Sequence, residues 1–328
     1  MGLQQSLPVE RAAGGDRQRL DVREMLTRYG TFIALIVLIV VAALLSPRFL
    51  SPVNLMNVLR QTAIVGVLGI GMTFVILTAG IDLSVGATLA LSAVMLAGTL
   101  ESTGNIALAM LAAVLAGMAV GLGNGLGVTL GRVQPFVMTL GMLGIARSLA
   151  FLYTGGEPIP VLDRTFLTLG IGYLWKVPIP SIIFIAILIV AALVLRYTPF
   201  GRAVYAIGSN EEAARLSGIE VGRVKTSVYV ISGFTAGIGA IMYCSQFASA
   251  PPIAGEGYEL DAIAAVVVGG TSLFGGQGGV IGTFFGALII GILSNVLNLM
   301  GVSPFAQPLA KGALIILAVL IVGRGRRG

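Results

Sequence analysis

The chain contains no histidine and a single cysteine, Cys244. The first absence removes imidazole metal sites, histidine general bases and Ser-His triads. The second removes an intrachain disulfide and any thiolate cluster, leaving Cys244 as a packing residue. Charge is scarce as well: Asp, Glu, Lys and Arg make up 10% of the 328 residues, against ~25% in ordinary soluble domains. With 56% hydrophobic residues the balance fits no soluble class, so the chain reads as an integral membrane protein. A β-barrel would show alternating segments of about ten residues, and the sequence shows unbroken apolar runs instead.

Those runs set the fold class. A spanning helix needs ~20 largely apolar residues, and such stretches are expected at residues 29–45, 62–80, 84–100, 105–129, 135–153, 180–195, 227–247, 262–274, 280–299 and 304–322. The expectation is an all-α, polytopic membrane helix bundle of about ten transmembrane helices. The net charge of +6 does not signal a nucleic-acid partner, because the basic residues are distributed by topology. With the amino terminus inside, 14 of them fall on cytoplasmic segments, and only Arg48, Arg60, Arg164 and Lys176 fall outside. That is the bias of the positive-inside rule. The segment 262–274 is short and has a re-entrant geometry as its alternative. Parity favours a crossing, since losing one would put the basic end of the chain outside. Residues 1–28 read as a disordered cytoplasmic tail, 29–323 as the transmembrane domain with an inner loop at 196–226, and 324–328 as a basic cytoplasmic tail.

The 46 glycines divide by position. Gly117, Gly121 and Gly125 repeat every four residues on one helix face, and Gly282 with Gly286 forms a second such pair; both suit close helix packing. Two glycine-flanked breaks differ from these: AGIDLSVG at 79–86 and GGTSLFGG at 269–276. Aligned without gaps they share Gly80/Gly270, Leu83/Leu273 and Gly86/Gly276, a hint of internal duplication. Within the first break Asp82 is the only acidic residue between Glu24 and Glu101. A carboxylate beside two apolar spans needs water, a partner or a helix amino terminus; capping the next helix and a part in gating are the two readings. Asp82, Ser84, Asn124, Thr271 and Ser272 are the candidates for a translocation path. Arg147 and Lys311 lie inside expected spans, in the outer halves, where snorkelling outward is the plain reading. The acids Glu256, Glu259 and Asp261 fall on an outer loop, solvated or facing an external partner.

The inner loop at residues 198–225, which opens Thr198-Pro199-Phe200-Gly201-Arg202 and continues through AIGSNEEAARLSGIEVGRVK from Ala206, is the most specific stretch. Ser209 and Glu212 have the spacing of a capping box, and Gly218 supplies a stop. A short helix capped at both ends and projecting from a basic cytoplasmic loop suits docking to a cytosolic partner. Lying on lipid headgroups suits it less, because its apolar residues Ala213, Ala214 and Leu216 are few and mostly small.

At this loop the sequence meets a family. Glu212-Ala213-Ala214-x-x-x-Gly218 resembles the EAA-x-x-x-G core of the coupling loop in permease subunits of ABC importers, without the later I-x-L-P part. AGIDLSVGA from Ala79, the loop from Gly201 to Ile219 with its AIGSNEEAARLSGI run, and VVVGGTSLFGGQGGVIGT from Val266 together resemble the ribose/xylose/galactose-type sugar permeases. The resemblance covers residues 29–322. It implies a ten-helix homodimeric subunit of the bacterial inner membrane, with both termini cytoplasmic, that takes a monosaccharide from a periplasmic sugar-binding protein and couples to a cytosolic ATPase. It also implies that Gly201, Arg202, Gly208, Ser209, Glu212, Ala213, Ala214, Leu216 and Gly218 form the ATPase-coupling loop. No cofactor is expected in this chain; ATP and magnesium would sit on the partner. In agreement, the lysines follow Trp175, Val224 and Ala310, so no Gly-Lys-Ser/Thr phosphate loop exists. The alternatives are a branched-chain amino-acid ABC permease and, from another class, an ion-coupled secondary transporter. The latter would need ionisable residues at mid-membrane. An enzyme would need a convergent acid, base or metal cluster, and the sequence offers none.

Overall fold

The computed structural model describes residues 22–303 and 305–313, with side chains from Gly30 onward. In chain order the elements are α1 (Val22–Leu45), α2 (Pro52–Leu77), α3 (Val85–Thr103), α4 (Ile106–Thr129), α5 (Pro135–Thr154), β1 (Ile159–Pro160), α6 (Arg164–Ile171), β2 (Tyr173–Leu174), β3 (Val177–Pro178), α7 (Ile179–Tyr197), α8 (Pro199–Ser209), α9 (Glu211–Leu216), α10 (Val221–Phe247), β4 (Ser249–Ala250), α11 (Tyr258–Val268) and α12 (Val280–Leu299). The expected all-α bundle is present. Its strands are two-residue pairings, β1 with β4 and β2 with β3, both antiparallel.

Among the described residues, α2, α3, α4, α5, α7, α10 and α12 are long and apolar enough to cross a membrane. Helix α1 begins at Val22, inside the segment expected as a tail, and its apolar part is Gly30–Leu45. Residues 1–21 and 314–328, including the basic tail and most of the tenth expected crossing, lie outside the described residues. The bounds expected for the crossing at 262–274 are corrected. Helix α11 starts earlier, at Tyr258, and stops at Val268. Its 11 residues rise ~16 Å, about half of a hydrocarbon core. The physical reason is the glycine pair after it: Gly270 adopts φ +87°, so its amide and that of Thr271 turn back onto the carbonyls of Val267 and Val266 and end the helix.

The centre of the bundle is α2, α3 and α10, whose residues are buried along most of their length. Lipid tails are as apolar as leucine, so burial alone does not hold helices together in a membrane; close packing and interhelical hydrogen bonds do. The Gly117, Gly121 and Gly125 stripe packs on α10 as expected. A Cβ on Gly117 would overlap the Gly233 carbonyl, one on Gly121 the Tyr229 carbonyl, and one on Gly125 the Thr226 backbone. Gly282 and Gly286 meet the carbonyls of Gly269 and Ala265 on the α11 side. Polar staples supplement this packing. Asn54 and Asn295 exchange two amide hydrogen bonds of 2.9 Å between α2 and α12, and the hydroxyls of Thr73 and Thr283 meet at 2.7 Å.

Candidate functional site

The loop between α7 and α10 folds as two short helices at a sharp corner. Thr198 caps α8 by accepting from the Gly201 amide at 3.1 Å, with Pro199 at the first helical position. Gly201 lies against the carbonyls of Val194 and Leu195, so a side chain there would break the corner. Arg202 is exposed.

The expected Ser209–Glu212 capping box does not form. Ser209 is the last residue of α8, and its hydroxyl donates to the Tyr205 carbonyl at 2.9 Å. Asn210, in extended conformation, both ends α8 and caps α9, accepting from the Ala213 amide at 2.9 Å. Asparagine caps as well as serine, and the cap moves one residue because α8 runs through Ser209. Glu212 instead sits 3.5 Å from Arg215, and Glu211 pairs with Arg215 at 3.3 Å and Lys225 at 2.5 Å. The stop at Gly218 is as expected: φ is +83°, the Gly218 amide donates to Arg215 and that of Ile219 to Ala214, both bonds of a Schellman turn. Ala214 is buried with Ile207 and Val221. Glu212, Ala213, Arg215 and Leu216 face outward, with Leu216 82% exposed. This apolar knob gives the outer face of α9 a hydrophobic centre that the small residues around it do not.

The inner side of α8 touches both glycine breaks, a contact with no signal in the sequence. A Cβ on Gly208 would overlap the Leu77 carbonyl and crowd the Gly276 amide. That amide donates to Leu77 at 3.0 Å, so the second break is bonded to the end of α2, just before the first break, where α8 ends. The Tyr205 hydroxyl donates to the Gly278 carbonyl at 2.9 Å. Both breaks open with the same Schellman turn, at Ala79 (φ +58°) and Gly270 (φ +87°). The matched residues are one position off the ungapped alignment, in which Ala79 falls opposite Gly269.

Beyond the first turn the breaks diverge. Asp82 is 2% exposed, and its two oxygens accept from the Ser84 amide (3.0 Å), the Ser84 hydroxyl (2.6 Å) and the Ser232 hydroxyl (2.7 Å). Asn124 donates to the Ser84 hydroxyl at 2.8 Å. The carboxylate therefore braces the turn before α3, whose cap residue Ser84 makes no side-chain cap bond of its own, and ties that turn to α4 and α10. Three of the five path candidates, Asp82, Ser84 and Asn124, form one network. Ser232, absent from the sequence-based candidates, is its fourth member; the run of small residues around it in α10 was the available signal. Thr271 and Ser272 are apart from this network. Thr271 accepts from the Gly279 amide and Ser272 from the Phe274 amide, closing the second break on itself.

Arg147 and Lys311 both end on protein partners: Arg147 donates to the carbonyls of Pro252 (2.7 Å) and Ala254 (2.9 Å), and Lys311 pairs with Asp261 at 2.7 Å. These partners lie on the segment expected on the outer side, and they spare each charge the cost of being held unpaired. Of the acids on that side, Glu256 is exposed, Glu259 half-buried and Asp261 buried. Among the described residues no group of three or more Asp, Glu or Cys side chains could hold a metal ion.

Residues 54–322 match the family described as branched-chain amino acid transport system / permease component. The chain belongs to this permease family. The permease is 48% identical to the ribose import permease protein RbsC of Bacillus subtilis (strain 168) over 93% of its own length and 96% of that protein's, and 44% identical to the protein of the same name from Escherichia coli (strain K12) over the same shares. It is 34% identical to the L-arabinose transport system permease protein AraH of Escherichia coli (strain K12), over 94% of each chain. No solved structure matches the permease. It is a multi-pass membrane transport subunit and not an enzyme.

Proposed function

We propose that the permease is the membrane-spanning subunit of an ATP-driven importer that moves a ribose-like monosaccharide handed over by a periplasmic binding protein. The observation that carries this is the 43–48% identity, over almost the full length, to permeases named for ribose import. On this reading the chain sits in the bacterial inner membrane as a homodimer, crosses ten times and keeps both termini in the cytoplasm. Beyond the seven helices of full length, α1 supplies one crossing, α11 with the backbone break after it makes up the short one, and the tenth falls mostly outside the described residues. ATP and magnesium belong to the partner ATPase.

The coupling loop is Gly201–Gly218, with division of labour inside it. The outward face of α9, Glu212, Ala213, Arg215 and Leu216, seats in the ATPase. Gly208 and Ser209, on the inner side of α8, pass the displacement to both breaks, and the Asp82 network carries it to α3, α4 and α10. Asp82, Ser84, Asn124, Thr271 and Ser272 act here as the groups whose rearrangement opens and closes the sugar path.

The test is uptake of labelled ribose by cells whose own ribose permease is deleted, with the cognate ATPase and binding protein co-expressed. Uptake that ribose competes and leucine does not supports the reading. Competition by leucine alone would move the cargo to the amino acids of the family's description.

A further inference from the structure

The chain has one tryptophan, and the fold spends it in an unusual place. Strands β2 and β3 are joined by the two residues Trp175 and Lys176. Trp175 takes φ +60°, a region where glycine is at ease and a bulky residue is strained. Its side chain is 95% exposed. Ile171, Tyr173, Leu174 and Val177 are exposed beside it, so the end of α6 and the hairpin present a continuous apolar patch. On the other side α6 is fixed to the bundle: Phe166 is buried, and Gly170 lies against the backbone of Ser245 and Gln246.

Two further observations say what covers the patch. The hairpin runs directly into α7, whose face bearing Ile185, Ile189, Val190 and Leu193 is exposed and suited to lipid tails. The first of these residues, Ile185, is six residues into α7, so the patch lies ~9 Å, less than two turns, from the lipid-suited face. Its charge is basic. Arg60 lies 5.0 Å from the Tyr173 ring centre and donates to the Ile171 carbonyl, Lys176 is at the hairpin tip, and Arg164 opens α6. Of the acids nearby, Asp163 is occupied in capping α6 through the Phe166 amide, and Glu101, at the end of α3, lines the same cavity as Asp163. Three of the four basic residues that break the positive-inside bias therefore belong to this one unit. Lipid phosphates at the outer surface give those charges a partner and account for the exception.

We propose that α6 and the β2–β3 hairpin form an outer-leaflet lipid anchor. Tyr173, Leu174 and Trp175 seat at the boundary between headgroups and acyl chains, where amphipathic rings are favoured, while Arg60, Arg164 and Lys176 meet lipid phosphates. The anchor holds α6 against α10 and fixes the height of α7 in the membrane. It depends on the chain spanning a membrane and is independent of the cargo.

With only one tryptophan, emission excited beyond tyrosine absorption reports Trp175 alone. The full chain is reconstituted in phosphatidylethanolamine–phosphatidylglycerol vesicles, with lipids brominated either just below the headgroup or near the chain end. The expected result is blue-shifted emission, strong quenching by the shallow bromines, weak quenching by the deep ones and weak quenching by aqueous iodide. Replacing phosphatidylglycerol by phosphatidylcholine should shift the emission to the red, and Arg60→Gln with Lys176→Gln should abolish that lipid dependence. Emission of a water-exposed tryptophan with full iodide quenching would overturn the anchor. So would a blue shift that appears only when a sugar-binding protein is added, which would make the patch a protein dock. Emission indifferent to phosphatidylglycerol in the unaltered chain would overturn the phosphate contacts.

Discussion

The Gly276 amide donates to the Leu77 carbonyl across 3.0 Å, and a side chain on Gly208 would occupy the space beside that bond. Three segments far apart in sequence, the end of α2, the loop after α11 and the end of α8, therefore share one junction. Helix α8 meets this junction by close packing at Gly208 and by the bond from the Tyr205 hydroxyl to the Gly278 carbonyl. Moving α8 away gives up those contacts, whereas moving it toward the junction pushes on Leu77 and Gly276 together, because the bond between them holds the two segments as one.

Gly208→Val tests the junction. The added isopropyl group must push α8 away from Leu77 and Gly276, an overpacking of ~1–3 kcal/mol concentrated at one contact. Of the spanning helices only α2 is touched, at its last residue, so membrane abundance should stay near that of the unaltered chain while ribose uptake falls by roughly tenfold or more, about 1.4 kcal/mol per factor of ten. Unchanged uptake would remove Gly208 from the coupling route. Gly218→Ala serves as a comparison on the same loop, since nothing lies within 4 Å of that position and only its left-handed backbone is disturbed.

How much of this the residues announced depends on the range of the interaction. The bundle, the glycine stripe of α4 and the Gly218 stop were legible because each is governed by local spacing: ~20-residue apolar runs, a four-residue period, a left-handed helix end. The cap of α9 was misplaced by one residue because Ser209 and Asn210 are equally good caps and only the length of α8 decides between them. The bonds of Arg147 to Pro252 and Ala254, of Lys311 to Asp261 and of Gly276 to Leu77 were not legible. They join residues far apart in the chain or depend on backbone groups, which carry no side-chain signature. Asp82 falls between: its bonds to Ser84, two residues on, are local and within reach of sequence reasoning, although they brace the turn and do not cap α3 as expected, whereas its bond to Ser232 requires knowing that α10 passes beside α3.

That mixed role yields a second prediction. Asp82→Ala would strand the Ser84 amide and hydroxyl, the Ser232 hydroxyl and, through Ser84, part of the Asn124 amide. Orphaned buried donors cost ~1–3 kcal/mol each, and some relaxation is available, so a loss of roughly 2–4 kcal/mol is expected as a lowered thermal midpoint of the purified chain in detergent. Asp82→Asn keeps one acceptor oxygen and should lose less. In the Asp82→Ala background, Ser232→Ala should cost less than in the unaltered chain, because its partner is already gone. Additive losses in this cycle would mean that the 2.7 Å bond contributes nothing to stability.

The last prediction concerns α9. Ala213 and Ala214 are adjacent, yet Ala214 is 4% exposed among Ile207 and Val221 while Ala213 faces outward between Glu212 and Arg215. The same substitution should therefore fail for two different reasons. Ala214→Arg pushes a guanidinium into a packed apolar pocket, so the loop itself should unfold and become sensitive to proteolysis. Ala213→Arg leaves the loop folded, because its side chain enters water, and acts only when a partner closes over it. An unpaired charge held at such an interface costs several kcal/mol, enough to remove ATPase association and uptake together while proteolysis stays normal. Leu216→Ser should weaken the same association through lost apolar contact, at ~1.5–3 kcal/mol for a leucine that becomes fully buried. Gly218→Val should be milder on binding and harsher on the loop, costing ~1–2 kcal/mol for a left-handed residue with a side chain. Pull-down of the ATPase, protease sensitivity of the loop and ribose uptake would be measured on all four variants. If Ala213→Arg and Leu216→Ser bind the ATPase as the unaltered chain does, the outward face of α9 is not the docking face, and coupling has to enter the bundle elsewhere.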